Sequence, residues 1–275
     1  MPHNRIGILA GGGRLPVLVR DACRRQNKAY HVIVFDGQGS PGTFSDDSHA
    51  VIRLGAGGAA IKNLKSEGCD TLVMAGTIRR PGMKELRPDW WGVKFFATSG
   101  AQALGDDGLL SALVKALEGE GFNVVGADEL LPDFLMPRGL IGAVSPDEQQ
   151  IPDVTAALRA AKALGARDVG QAAVVRGGEV IVEEDTDGTD AMLKRLAAED
   201  NAGGVLAKTL KPGQERRVDL PTVGPETIMN ACAAGLDGVV IEAGNAFLLD
   251  PEGTKKAADE TGLFLIGADT DGNWQ

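Results

Sequence analysis

The residues best equipped for chemistry lie in one short run, Glu215-Arg216-Arg217-Val218-Asp219-Leu220-Pro221-Thr222-Val223-Gly224. Asp219 stands just ahead of Pro221, whose ring biases the preceding chain to an extended form, so the carboxylate can be held at a strand end. A helix is expected to open at Gly224-Pro225-Glu226-Thr227. Its first turn would offer unpaired N–H groups to an anion. A carboxylate, several cations and a helix N-terminus this close together suit a metal-bound phosphate. The same residues also read as a loop aspartate that caps the helix.

Other segments carry the same kind of chemistry. Ile8-Leu9-Ala10-Gly11-Gly12-Gly13-Arg14-Leu15-Pro16 reads as strand, glycine turn and helix. Glycines let a backbone approach a phosphate closely. The dinucleotide fingerprint is not met, because Pro16 sits where its third glycine belongs, although Asp36 could imitate the ribose-binding acid. A tight turn without a ligand explains the glycines equally. Thr77, Arg79 and Arg80 follow another strand, and either arginine could pair with a phosphate or simply face water. Gly105-Asp106-Asp107-Gly108 places acids at a helix start, where capping is the usual role.

The densest acidic cluster is Glu183-Glu184-Asp185-Thr186-Asp187-Gly188-Thr189-Asp190. Carboxylate oxygens suit a hard cation such as magnesium. A calcium loop is excluded, because Leu196 stands where the closing glutamate belongs. Glu183, Thr189 and Asp190 could face one site; otherwise this is a solvated loop with Asp187 or Thr189 as N-cap. The chain has 3 histidines, all within its first fifty residues, and no GxxxxGK[ST], HExxH or GxSxG. Hydrolysis would therefore rest on carboxylates and a hard metal, not on a histidine base.

The elements that must position these groups alternate. Strands are expected at Ile6–Ala10, His31–Phe35, Val51–Leu54, Thr71–Ala75 and Asn123–Val125. Helices are expected at Leu15–Gln26, Ala59–Glu67 and Leu109–Glu120. This rhythm predicts an α/β protein, with a Rossmann-like parallel-sheet domain over residues 1–131. Four prolines and two glycines mark 132–153 as a linker. A second α/β domain, the catalytic one, is expected over 154–275. It would hold a hairpin across Arg176-Gly177-Gly178, helices at Val154–Leu164, Thr189–Ala198, Glu226–Ala234 and Glu252–Thr261, and a frayed end from Thr270.

With 275 residues the chain can bury a large core, and 38 glycines with few aromatics fit aliphatic parallel sheets. A net charge of −10 argues against nucleic acid as a partner. Cys23, Cys69 and Cys232 have no paired spacing and read as core thiols. No segment reads as a signal peptide or a membrane span, which predicts a cytoplasmic protein.

In order and spacing, ILAGGGRLP (8–16), 75–81, GDDGLL (105–110), LMPRGLIG (135–142), VGQAAVV (169–175), DGTDAML (187–193), VLAK (205–208), VDLPTVG (218–224) and GLFLIGAD (262–269) resemble one family. It is the UDP-2,3-diacylglucosamine pyrophosphatases of lipid A biosynthesis, of the LpxI type that is not built on a calcineurin-like scaffold. The resemblance implies a two-domain hydrolase that uses magnesium, or manganese in its place, and yields UMP and 2,3-diacylglucosamine 1-phosphate (lipid X). It implies that Asp219 is catalytic and a metal ligand, with Asp190 as a further metal carboxylate. Substrate contacts are then expected at Gly11, Gly12, Gly13, Leu15, Pro16, Thr77, Arg80, Gln171, Thr189, Lys208 and Thr222. The partner would be a nucleotide lipid, with at most transient contact at the inner membrane; the oligomeric state stays open, a homodimer included. A nicotinamide (NAD(P)) oxidoreductase built on the glycine turn and a non-catalytic nucleotide-lipid binder are the competing readings.

Overall fold

A computed structural model describes residues 5–79, 86–100, 106–199 and 203–275. The chain divides into two compact units. One is Met1–Pro132 with Glu215–Asp219, the other Asp133–Gln214 with Leu220–Gln275.

The first unit is built on β1 (Arg5–Ala10), β2 (Tyr30–Phe35), β3 (His49–Ile52), β4 (Cys69–Ala75) and β5 (Asn123–Val125). They pair in the order β3-β2-β1-β4-β5, every pair parallel. Ile6–Ala10 and His31–Phe35 are buried without a break, as a parallel sheet covered on both faces requires. The helices among its described residues are α1 (Leu15–Arg25), α2 (Gly57–Ser66), α3 (Trp90–Ser99) and α4 (Asp106–Gly119). In α1, Leu18, Val19, Ala22 and Cys23 form the buried stripe. Pro16 lies in its first turn, where a missing donor costs nothing. Leu9, Ile33, Phe35, Ile61, Leu64, Leu72, Val114, Leu117 and Phe122 make one core. Each such side chain contributes about 1.5–3 kcal/mol by leaving water. Helix α3 is absent from the sequence reading, because its apolar residues run around the helix instead of along one stripe.

The second unit carries β6 (Gly139–Leu140), β7 (Ala172–Arg176), β8 (Glu179–Glu183), β9 (Val205–Lys208), β11 (Gly238–Glu242) and β13 (Phe264–Ala268). Their order is β6-β13-β11-β9-β7-β8, parallel across β9, β11 and β13 and antiparallel toward both edges. A separate two-stranded ladder joins β10 (Thr222–Val223) to β12 (Phe247–Leu248). Strand alternation sorts the sheet's side chains. Ala173, Val175, Val205, Ala207, Val240 and Ile266 face α5 (Ile151–Ala166). Val174, Leu206, Ile241 and Leu265 face the opposite layer of α6 (Thr189–Ala197), α7 (Pro225–Ala233) and α8 (Pro251–Thr261). The β7–β8 hairpin turns through Gly177 and Gly178 at φ 58° and 82°, the paired positive values that a two-residue turn demands. Asp153, in the first turn of α5, accepts from both turn N–H groups at 2.8 and 2.7 Å.

The stretch 132–153, expected as a linker, gives β6 to the edge of this sheet through pairs with Ile266 and Gly267. The C-terminal end is not frayed. Asp269 accepts from the N–H groups of Asp271 and Asn273 at 3.0 and 2.9 Å, and Trp274 packs on the α5 side of the core.

Candidate functional site

Four of the expected substrate residues meet at one end of the second sheet. Lys208 closes β9 and is only 8% exposed; its Nζ donates to the Thr222 carbonyl at 3.2 Å. Across the ladder it faces Ala172. On the far side of Ala172 stands Glu184, whose N–H donates to the Ala172 carbonyl at 2.9 Å. The Glu184 carboxylate, 6% exposed, accepts the Gln171 N–H at 2.6 Å and the Thr189 hydroxyl at 2.6 Å. So Glu184 ties Gln171 to Thr189, and one rung away Lys208 is tied to Thr222. The sequence reading did not single out Glu184. Its signal was there: the two-residue period that turns Val182 toward the core turns Glu184 the same way.

The adjoining rung is polar too. The Thr209 N–H donates to the Gln171 carbonyl at 3.0 Å. Thr209 Oγ1 and Gln171 Oε1 are both buried without a hydrogen-bond partner among the described residues. Burying such atoms unpaired costs about 1–3 kcal/mol each, so this end of the sheet carries unused polar capacity. Behind it, Glu242 closes β11 and is nearly fully buried. It accepts from Lys162 Nζ at 3.1 Å, from the Leu210 N–H at 2.9 Å and from Asn245 Nδ2 at 2.7 Å. That junction fixes the exit of β9 just past Lys208.

The rest of the acidic cluster does something else. Glu183 pairs with Arg167 at 2.7 Å, and Asp185 with Arg195 at 2.7 Å. Asp190 Oδ1 accepts from Asn230 at 3.0 Å. The expected convergence of Glu183, Thr189 and Asp190 is therefore replaced by three separate attachments, and the buried member is Glu184. The N-cap of α6 is Gly188, at φ 87° and without a side-chain cap, not Asp187 or Thr189.

In the first unit the expected residues collect where the strand order reverses beside β1, the place open α/β sheets use for ligands. Gly12 and Thr77 exchange backbone hydrogen bonds at 2.8 and 3.0 Å, which stitches the loop after β1 to the loop after β4. A side chain at Gly11 would collide with the Thr77 carbonyl, and one at Gly76 with the Gly12 carbonyl and Pro16. These two glycines are thus required by the chain's own packing. Gly13, at φ 84°, has open space around its α-carbon. Leu15 opens α1, and Pro16 is buried beneath the turn. Beyond β2 and β3, Asp36, Gln38, Arg53, Arg79 and Leu86 line a cavity of about 170 Å³. Arg80 and Gly105 lie outside the described residues.

The run around Asp219 belongs to this first unit. Its cations are engaged. Arg216 pairs with Asp128 at 3.1 Å. Arg217 pairs with Glu215 at 2.8 Å and Glu118 at 2.7 Å, and donates to the Val124 carbonyl at 3.3 Å. The hydrogen bonds that Arg217 donates to Glu215 and Glu118 raise its pKa, and Arg217 in turn lowers that of Glu215. Val218 packs against the core of the unit. The expectation that both arginines serve a phosphate gives way to a clamp that fastens the segment carrying Asp219. The Asp219 N–H closes it by donating to the Glu215 carbonyl at 3.2 Å.

Among the described residues, no three His, Cys, Asp or Glu side chains are grouped to hold a metal ion. Magnesium does not need such a cage. It keeps several waters and takes one or two carboxylates together with substrate phosphate oxygens. A single anchored aspartate fits that chemistry.

The sequence pattern of the LpxI N-terminal domain matches residues 5–134, and that of the LpxI C-terminal domain matches residues 137–266. A protein of Caulobacter vibrioides named UDP-2,3-diacylglucosamine pyrophosphatase LpxI is 40% identical over 274 residues, covering 96% of this chain and 98% of the relative.

Proposed function

The chain belongs to the LpxI family, and from that premise we propose that it hydrolyses UDP-2,3-diacylglucosamine within lipid A synthesis. The products are UMP and 2,3-diacylglucosamine 1-phosphate. The observation that carries the reading is the likeness to the Caulobacter protein along both halves of the chain. Water adds to one phosphorus and the bridging P–O bond breaks; the other phosphate leaves with the bridging oxygen, and the water's protons pass to solvent.

The chain supplies anchored polar groups for this reaction. Asp219 sits on a segment held by the Arg216 and Arg217 ion pairs, so its carboxylate has a defined place from which to orient water or hold a cation. Magnesium, or manganese in its place, would be held by Asp219 together with water and the substrate's phosphate oxygens. When bound, it offsets the charge that builds on the diphosphate oxygens. The Lys208 ammonium is buried, where a cation acts more strongly on a phosphate than it would in water. Gln171, Thr189 and Thr222 suit sugar and base oxygens. Gly11, Gly12, Gly13, Leu15 and Pro16 shape the start of α1, whose dipole favours a phosphate, with Thr77 beside it.

The test is UMP release from UDP-2,3-diacylglucosamine with and without EDTA, for the wild type and Asp219→Asn. Chelation should silence the wild type, and magnesium or manganese should restore it. Asp219→Asn should bind substrate yet turn over at least a hundredfold more slowly. Full activity after exhaustive chelation would remove the metal from the proposal. Near wild-type turnover by Asp219→Asn at saturating magnesium would leave Asp219 a structural residue.

A further inference from the structure

Helix α3 is built in an unusual way. Trp90, Trp91, Phe95 and Phe96 stand within its ten residues, in a chain with only 3 Trp, 1 Tyr and 8 Phe. One face is anchored. The Trp91 and Phe95 rings stack at 5.5 Å, and the Trp91 indole N–H donates to Glu120 at 2.9 Å. Asp89 caps two helices with one carboxylate. It accepts from the Gly92 N–H in α3 at 2.9 Å and from the Gly58 N–H in α2 at 2.7 Å. Arg53 donates to the carbonyls of Leu86 and Arg87, fixing the chain that leads in. The helix is therefore held firmly, and its other face is displayed by design of the packing.

That other face is apolar. Trp90 is 82% exposed and Val93 45%, and Ala97 continues the stripe at helical spacing. A helix that is apolar all round is normally buried all round. Among the described residues, the exposed charged groups on and beside the stripe are cationic. Lys94 lies on the exposed face, Arg87 is exposed just upstream, and Lys62 and Lys65 are exposed on α2, which packs against α3. The only acid among residues 86–100 is Asp89, which is occupied as a cap. Glu120 is tied to Lys65 and Trp91. A cationic margin around an exposed tryptophan is unexpected on a chain of net charge −10. Tryptophan favours the headgroup level of a bilayer, and lysines and arginines favour anionic headgroups.

We propose that the Trp90-Val93-Lys94-Ala97 face of α3 docks the protein on an anionic lipid bilayer. The proposal deepens the lipid-substrate reading above and rests on it for its purpose: it gives the enzyme access to a substrate dissolved in a membrane. The contact is shallow and reversible, since one short helix supplies only a few apolar side chains and each cation contributes about fivefold to binding at such a surface.

The experiment uses the full chain and two vesicle types, phosphatidylethanolamine with 30% phosphatidylglycerol and pure phosphatidylcholine. Binding is read by flotation and by the shift of tryptophan emission. The wild type should float with the anionic vesicles. Trp90→Ser combined with Val93→Ser should lower that binding about tenfold or more, with an unchanged thermal melt. Lys94→Glu should weaken binding to the anionic vesicles and leave the weak binding to phosphatidylcholine unaltered. Hydrolysis of substrate dispersed in detergent micelles should be the same in all variants, and hydrolysis of vesicle-embedded substrate should fall with binding. Equal flotation of wild type and double variant overturns the proposal, as does an absence of flotation with intact hydrolysis in detergent. A wild-type dimer that the double variant dissolves would assign the face to a second copy instead. Vesicle binding as expected, without hydrolysis under either condition, would sink the hydrolase reading and leave the docking face standing.

Discussion

Replacing Glu184 by alanine should be the most costly single change at the polar end of the second sheet. The carboxylate is almost entirely buried and accepts two short hydrogen bonds, one from a backbone N–H and one from the Thr189 hydroxyl. Alanine leaves both donors without an acceptor where water has little access. Each orphaned donor costs about 1–3 kcal/mol, so the loss is about 4 kcal/mol. For a chain of this size that is a fall of roughly 8–16 °C in melting temperature. Glutamine should cost less, about 1–2 kcal/mol. Its carbonyl oxygen can keep the Gln171 N–H, and the Thr189 hydroxyl can rotate to accept from the new amide. The assay is denaturant unfolding of the three proteins, paired with KM and kcat. On the proposed reading, Glu184→Gln loosens Thr189 and Gln171 and raises KM about tenfold with a smaller change in kcat. If Glu184→Ala unfolds within about 0.5 kcal/mol of the wild type, the buried junction is not holding these residues and the reasoning is refuted.

Other perturbations follow from the same geometry. Arg217→Met should lower kcat about tenfold while costing only about 1 kcal/mol in stability, because its ion pairs are part-exposed and their main effect is to place the Asp219 segment; an unchanged kcat would make the clamp ornamental. Burial lowers the pKa of His31, which sits between Ser48 and Asn63. The unfolded chain therefore takes up its proton first, and stability should fall as pH drops below ~6.5, with the slope reduced in His31→Gln; parallel pH profiles for the two proteins would contradict this. Burial pushes the Cys23 and Cys69 thiols up to about 11. Only the part-exposed Cys232 should react quickly with a disulfide reagent at pH 8, and rapid reaction of all three in the native protein would show that the first unit does not close over Cys23 and Cys69.

The alternation of strand and helix was legible because parallel strands are read from unbroken apolar runs, and Ile6–Ala10 and Val32–Phe35 are such runs. Boundaries moved by one or two residues where a ladder extends past the apolar stretch, as at β3. Helix α3 was not legible, since its second apolar face lacks the polar half that defines an amphipathic period. The fate of charged residues was the least legible of all. Sequence puts Glu183, Glu184, Asp185 and Asp187 close together; the two-residue period marks Glu184 as the inward one, but its tie to Gln171 comes only from the folded sheet. Likewise Arg216 and Arg217 look like a phosphate pair until Asp128 and Glu118, about a hundred residues earlier, are brought beside them. A local motif shows which groups are available; long-range pairing decides which of them are already taken.

The grouping of Glu215–Asp219 with the first unit has a consequence for how the protein is made. The core of that unit receives Val218, and its surface acids Asp128 and Glu118 receive their arginines, from a segment translated about 90 residues after Pro132. At ribosomal speeds of ~5–20 residues per second the nascent first unit waits roughly 4–17 s for its last piece. During that interval most of the second unit's sheet is also emerging. The N-terminal half is therefore not a self-sufficient early folder that a ribosome can finish and leave behind, and the aspartate proposed for catalysis arrives only with the segment that completes it.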